Sequence, residues 1–267
     1  MSYLSPNLTN LIAAVKKAAT SLSRDFTEIE NLQSSVKDYR SFVINGYNKA
    51  ERVLKTELSK MRPNFAFAED NKTRPQGGYF VISTISSMIN FIHAVPYFSV
   101  SVAMCENNTI LASVIYNPVS DELFFAEKGM GAYKEGFRSH ERLRVSARKE
   151  LSDSLILTTP SFHGEDFASF AELSHKLFKS SNVRIQGDSN MDMAYVAAGK
   201  ADAYISYAQA PSDITAGILL VKEAGGYIFD INQKDIRSED IPSVISSGNI
   251  IAVNGNLNNK LYDLLSK

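Results

Sequence analysis

The chain has one cysteine, Cys105, so no intrachain disulfide can form and a thiolate-rich metal site is excluded. That usage fits a reducing compartment, and a cytoplasmic setting is expected. There is no excess of either charge. Lys and Arg total 28 against 29 Asp and Glu, which gives no electrostatic case for a nucleic-acid-binding or membrane-surface protein. Repeats, low-complexity tracts and Pro/Gly/Ser-rich linkers are missing. No secretory leader is expected, because the apolar stretch Leu11 to Val15 is short and runs into Lys16 and Lys17. The segment Tyr79 to Cys105 lacks Asp, Glu, Lys and Arg and is long enough to cross a bilayer. Its scattered Ser, Thr and Asn residues, with His93 and Pro96, break the apolar run, so buried strands joined by a turn are the better expectation. The familiar local signatures are absent too: no G-x-x-x-x-G-K-[ST], no G-x-S-x-G and no H-E-x-x-H. His93, His140, His163 and His175 have no ligand spacing, and no nucleophile–base pair stands out.

What is present is an ordinary globular composition, 44% apolar and 21% charged over 267 residues. Apolar residues at helical spacing from Leu8 to Leu22 predict a helix opened by Ser5-Pro6, and Asn48 to Met61 predicts a second. Short strands are expected at Phe65–Ala68 and Tyr79–Ile82. A meander follows over Phe98–Met104, Thr109–Tyr116 and Glu122–Ala126, turning at Asn107-Asn108 and Asn117-Pro118. Beyond about Arg142 the pattern alternates: strands at 155–158, 183–185, 203–206, 227–230 and 250–253, helices at 166–179, 190–198, 212–224 and 256–265. Gly199 and Gly225-Gly226 close two of these helices, and an Asn cap opens the last. Alternation of this kind predicts an α/β half. No linker divides the chain, so residues 1–267 are expected to form one domain with lobes of about 1–142 and 143–267.

Two acidic positions stand at element ends: Glu69-Asp70 after the strand 65–68, and Asp213 in the first turn of a helix. Taken singly they read as a polar loop and a helix-start charge. Together with their surroundings they resemble the inositol monophosphatase family. Gly187 to Gly226 carries the AYVAAG of Ala194–Gly199, an Asp-x-x-Ala-Gly frame at Asp213, Ala216 and Gly217, and the EAGG of Glu223–Gly226. Asn90-Phe91-Ile92-His93, Pro96 and Ser99-Val100-Ser101 match a second family stretch. Weaker matches fall at Lys37, Phe42–Asn45 and Lys49-Ala50-Glu51. The resemblance spans nearly the whole chain and includes the bacterial extragenic-suppressor (SuhB) type. It implies a mixed α/β (α+β) fold layered α-β-α-β-α, as in the sugar phosphatases. It also implies a homodimer, and an ancestor that hydrolysed phosphate monoesters with Mg²⁺.

Mg²⁺ takes hard oxygen ligands, and a two- or three-ion phosphatase must gather several carboxylates at one point. Here the family's Asp-Pro-Ile-Asp-Gly-Thr aligns with Ser83-Thr84-Ile85-Ser86-Ser87-Met88. Both metal-binding aspartates become serines, and the threonine that orients the attacking water becomes Met88. A supporting aspartate falls at Tyr47, a substrate-contacting glutamate at Ser206, and the tryptophan before the last metal-binding aspartate at Ser212. The Gly-Ser-Ala-Ala substrate loop reads Gly187-Asp188-Ser189-Asn190. Glu69, Asp213 and the carbonyl of Ile85 are the residual metal ligands that the resemblance implies.

Three expectations follow. The first is a pseudoenzyme of a hydrolase family, without the family's catalytic residues and with Mg²⁺ absent or weakly held. It would be retained to bind a protein partner such as the transcription or ribosome-assembly machinery. The second is a Mg²⁺-dependent phosphomonoesterase acting on inositol monophosphate or a related sugar phosphate through Glu69, Ile85 and Asp213. The third is a metal-free site for a small phosphate-containing ligand at Ser86 and Ser87, with Asp188, Ser189 and Ser206 nearby. A wrong register would allow Asp188 or Asp192 to supply the missing charge, although Asp192 matches a helix position common in the family.

Overall fold

A computed structural model describes residues 4–32, 39–69, 74–160, 165–232 and 240–265. Two long helices open it, α1 (Pro6–Leu32) and α2 (Tyr39–Met61). A seven-stranded sheet follows: β1 (Ala66–Phe67), β2 (Gly78–Ser83), β3 (Val100–Glu106), β4 (Thr109–Asn117), β5 (Glu122–Glu127), β6 (Gly131–Glu135) and β7 (His140–Arg142), in that spatial order. Only β1 and β2 run parallel; the other neighbours are antiparallel. The short helix α3 (Met88–Ile92) separates β2 from β3.

A second sheet of five strands has the order β11-β12-β10-β8-β9. Its strands are β8 (Leu155–Leu157), β9 (Asn182–Arg184), β10 (Ala203–Ser206), β11 (Tyr227–Phe229) and β12 (Ile250–Val253). The remaining helices are α4 (Glu165–Ser180), α5 (Ser189–Ala197), α6 (Pro211–Glu223), α7 (Ile241–Ser247) and α8 (Asn258–Leu265).

Both sheets bury both faces, and the period-two alternation of strand side chains sorts residues between cores. In the first sheet Phe80, Val102, Val114 and Phe125 pack with the α1–α2 pair, through Leu11, Leu22 and Leu54. Their strand neighbours Val81, Ala103, Ile115 and Phe124 face the opposite way, into a central core with α5 and α6. In the second sheet Tyr204, Ile228 and Ala252 point into that same central core. Ile205, Phe229 and Ile251 point outward, against Leu173 and Leu177 of α4 and Leu261 of α8. The layers are therefore α1/α2, sheet, α5/α6, sheet, α4/α8, the α-β-α-β-α order expected.

This arrangement accounts for the absence of charge along the β2 and β3 parts of the run from Tyr79 to Cys105. β2 and β3 are covered on both sides, so neither face can carry a solvated charge. Among the described residues no helix is long and apolar enough to cross a membrane.

The central helix α6 is buried continuously from Ile214 to Val221, as a helix between two sheets must be. Gly199 and Gly225 end α5 and α6 with left-handed φ of 67° and 87°, as expected of closing glycines. The expected Asn cap of the last helix is displaced. The helix starts at Asn258, and Asn254 Oδ1 accepts from the N–H of Asn256 at 2.9 Å and of Leu257 at 3.1 Å in the turn that leads into it.

Candidate functional site

The turn from β2 into α3, the residue entering β3 and the N-terminal ends of α5 and α6 converge. Ser86 lies in the turn, and its N–H donates to the Ser99 carbonyl at 3.0 Å. The Ser86 hydroxyl donates to Asp188 Oδ2. The same oxygen accepts from the Ser99 N–H at 2.9 Å and lies 2.9 Å from Ser99 Oγ. A serine hydroxyl has one donor and two acceptor positions, so Ser86 gives its proton to Asp188 and one lone pair to the Ser99 N–H, with Ser99 Oγ beside the other.

Asp188 caps α5, its Oδ1 accepting from the Met191 N–H at 3.0 Å and lying 3.4 Å from Ser99 Oγ. It has no solvent exposure. Burial raises its pKa above the ordinary carboxyl value, and the hydrogen bonds from Ser86, Met191 and Ser99 work against that rise.

One helical turn on, Asp192 is equally buried. Its Oδ1 accepts from the Tyr97 hydroxyl at 2.8 Å, and Gln186 Nε2 and Thr159 Oγ1 lie 3.4 Å from its two oxygens. Burial lifts its pKa well above the ordinary range, the Tyr97 hydrogen bond lowers it, and the nearby Asp188 raises it further. Asp192 is thus held by a set of donors of its own.

A second network lies beside the first. The Ser189 hydroxyl donates to Gln209 Oε1 at 2.8 Å and accepts from the Tyr204 hydroxyl at 2.7 Å. Gln209 Nε2 donates to Ser206 Oγ at 2.9 Å, and the Ser206 hydroxyl donates to the Thr159 carbonyl. Asn190 joins α5 to the start of α6, since its Nδ2 donates to Ser101 Oγ and to the Ser212 carbonyl, each at 3.1 Å. That bond fixes the first turn of α6, which carries Asp213, and the Asp213 N–H donates to the Ala210 carbonyl at 2.9 Å.

Glu69 is exposed in the segment after β1. The parallel register Phe67 to Phe80 brings it to the same end of the sheet as Ser83. Ser83 closes β2 opposite Ser101 and is buried. Ile85 is buried against the α1–α2 side, where Met88 and Tyr47 also pack. Asp70, Lys37 and His163 lie outside the described residues. Ser87 Oγ, Thr84 Oγ1 and Asn190 Oδ1 are buried with no hydrogen-bond partner among the described residues.

Of the nominated residues the structure therefore brings together Ser86 and Asp188 in one network and Ser189 and Ser206 in its neighbour. Among the described residues, no group of three or more His, Cys, Asp or Glu side chains is placed to hold a metal ion. The sequence reading gave no role to Ser99, Tyr97, Thr159 or Gln209. Ser99 lay inside a recognised motif, but a neutral residue beside a strand carries no signal of its partner.

The fold and these motifs have close parallels. The model of the inositol monophosphatase family matches residues 4–267. The chain belongs to the inositol monophosphatase family. It is 35% identical over 266 residues to the inositol-1-monophosphatase of Rhizobium meliloti strain 1021, covering 97% of this chain and 96% of that protein. It is 29% identical over 276 residues to the Nus factor SuhB of Escherichia coli strain K12, covering 98% and 99% of the two chains. Among solved structures, the native extragenic suppressor protein SuhB of Bartonella henselae superimposes with a TM-score of 0.83 at 33% identity, covering 98% of this chain and 99% of that one.

Proposed function

We propose that this chain is a catalytically degenerate member of the inositol monophosphatase family, kept for binding or scaffolding. On this reading it works as a homodimer with a protein partner in transcription, the role suggested by relatives named Nus factor. The observation that carries the reading is the state of Ser86. A bridged pair of Mg²⁺ ions needs anionic oxygens with lone pairs turned toward it. At Ser86 the oxygen is neutral, its proton goes to Asp188, and one of its lone pairs takes the Ser99 N–H. Ser83 is neutral and buried, and the Ser206 hydroxyl is directed to a backbone carbonyl. Glu69 and Asp213 with the Ile85 carbonyl offer one ion a thin donor set, and each missing carboxylate removes both a ligand and an attraction. This donor set does not fit a two-ion centre.

A second reading is a Mg²⁺-dependent phosphomonoesterase for inositol monophosphate or a related sugar phosphate. It is favoured by the 35% identity to named inositol-1-monophosphatases and by the retention of Glu69 and Asp213.

Phosphate release from inositol 1-phosphate and from glucose 1-phosphate in millimolar Mg²⁺ separates the two. The scaffold reading expects turnover at least about a thousandfold below the roughly 10 s⁻¹ of a median enzyme. Turnover within about tenfold of that value, abolished by Glu69→Gln and by Asp213→Asn, would establish the phosphatase instead.

A further inference from the structure

In the family pattern an aspartate stands at position 86 and a serine at position 188. In this chain the hydroxyl and the carboxyl have changed places. In this chain the two meet, since Ser86 donates directly to Asp188 across 102 positions of sequence. The exchange alters what each group needs. Carboxylates projecting from one loop toward another must share a cation or repel each other. A single carboxyl enclosed by hydroxyl and N–H donors is satisfied without one.

Asp188 is enclosed in that way. Oδ2 takes the Ser86 hydroxyl, Oδ1 takes the Met191 N–H at 3.0 Å, and Ser99 Oγ lies 3.4 Å from Oδ1. These donors come from three segments: the β2–α3 turn, the entrance to β3 and the first turn of α5. All of them are neutral. Asp192, the other buried acid nearby, has Tyr97 as its own close donor.

We propose that Asp188 does the structural work of the lost metal centre, a built-in carboxyl clamp that ties the three segments together and makes the packing of this site independent of any cation. The inference rests on the degenerate reading above and adds the residue that made the loss tolerable.

Thermal unfolding of the whole chain, in chelator and in millimolar Mg²⁺, tests it with four proteins. The unaltered protein should melt at the same temperature in both, to within about 1 °C. Asp188→Ser can still cap the Met191 N–H but removes the carboxylate oxygen that takes the Ser86 proton, and should melt about 5 °C lower in both. Asp188→Asn keeps one acceptor oxygen and should fall between the two. The double variant S86D/D188S restores the family arrangement at these two positions. It should regain a Mg²⁺-dependent rise of several degrees and bind Mn²⁺ at least about tenfold more tightly than the unaltered protein.

A melting temperature unchanged by Asp188→Ser would overturn the clamp, and so would Mg²⁺ stabilisation of the unaltered protein. Should S86D/D188S fail to fold, the comparison of Asp188→Ser with Asp188→Asn still decides. Phosphate release by the unaltered protein would defeat the scaffold reading, a separate result from the melts that judge Asp188.

Discussion

Glu122, at the start of β5, meets the same forces as Asp188 and ends on the other side of the ordinary carboxyl range. Burial pushes its pKa up. Lys134 Nζ at 2.6 Å, Lys200 Nζ at 2.8 Å and the Tyr195 hydroxyl at 2.9 Å outweigh that and hold it at about 2. Its side chain is only 14% exposed, so solvent screens these partners weakly. A folded pKa below the unfolded one stabilises the protein above the unfolded value, and the gain is lost as pH falls through the folded value. Glu122→Gln should therefore cost on the order of 2–3 kcal/mol in urea unfolding at pH 7. The gap to the unaltered protein should close as pH drops from 4.5 toward 2. A gap that stays constant with pH would assign the loss to packing instead. Asp188 has no lysine among its partners, so burial prevails there. The sequence could not separate the two acids, because what distinguishes them is which residues fold against them. For the same reason it nominated Ser86 and Asp188 as site positions without foreseeing that one would be the other's partner.

Glycines decide much at the level of the helices. The apolar spacing predicted a second helix from Asn48, but α2 begins at Tyr39 and runs through Gly46. A mid-helix glycine reads as a break on propensity. In the structure it is a close approach, since a Cβ at Gly46 would sit 2.8 Å from Asp25 Oδ2 of α1. Packing overrides propensity at that crossing, and α1 and α2 both run longer than their local signals. The seven-residue α7 was missed because its few apolar residues give no period to recognise. Gly217 makes the matching contact in the central layer. A Cβ there would lie 2.7 Å from Met193 Cβ of α5, an atom fixed to the backbone and unable to swing aside. Gly217→Ala should force α5 and α6 apart and cost about 1–3 kcal/mol, a fall of several degrees in melting temperature. It should also disturb the Asn190–Ser212 bond that holds the first turn of α6. A melting temperature equal to that of the unaltered protein would show that the crossing has slack.

Over the whole molecule, the order of strands and helices was readable from periodicity, whereas the stacking into five layers came only with the family motifs. Strand alternation says that two faces differ. It does not say that both are buried, nor which helices cover them. The decisive feature is the central core, built jointly by the first-lobe residues Val81, Ile115 and Phe124 and the second-lobe residues Tyr204, Ile228 and Ala252, with α5 and α6 between them. The first lobe cannot keep its inner sheet face covered alone, because α5 and α6 come from the second, and parting the two would put a large apolar surface in water. Urea unfolding should accordingly be a single transition, with tyrosine fluorescence and far-ultraviolet dichroism giving coincident midpoints. A fragment ending near residue 142 should fail to form a cooperative structure, despite containing the whole seven-stranded sheet. Two separated transitions, or a fragment that melts cooperatively by itself, would mean that the lobes are independent folding units and that the shared core adds little to either.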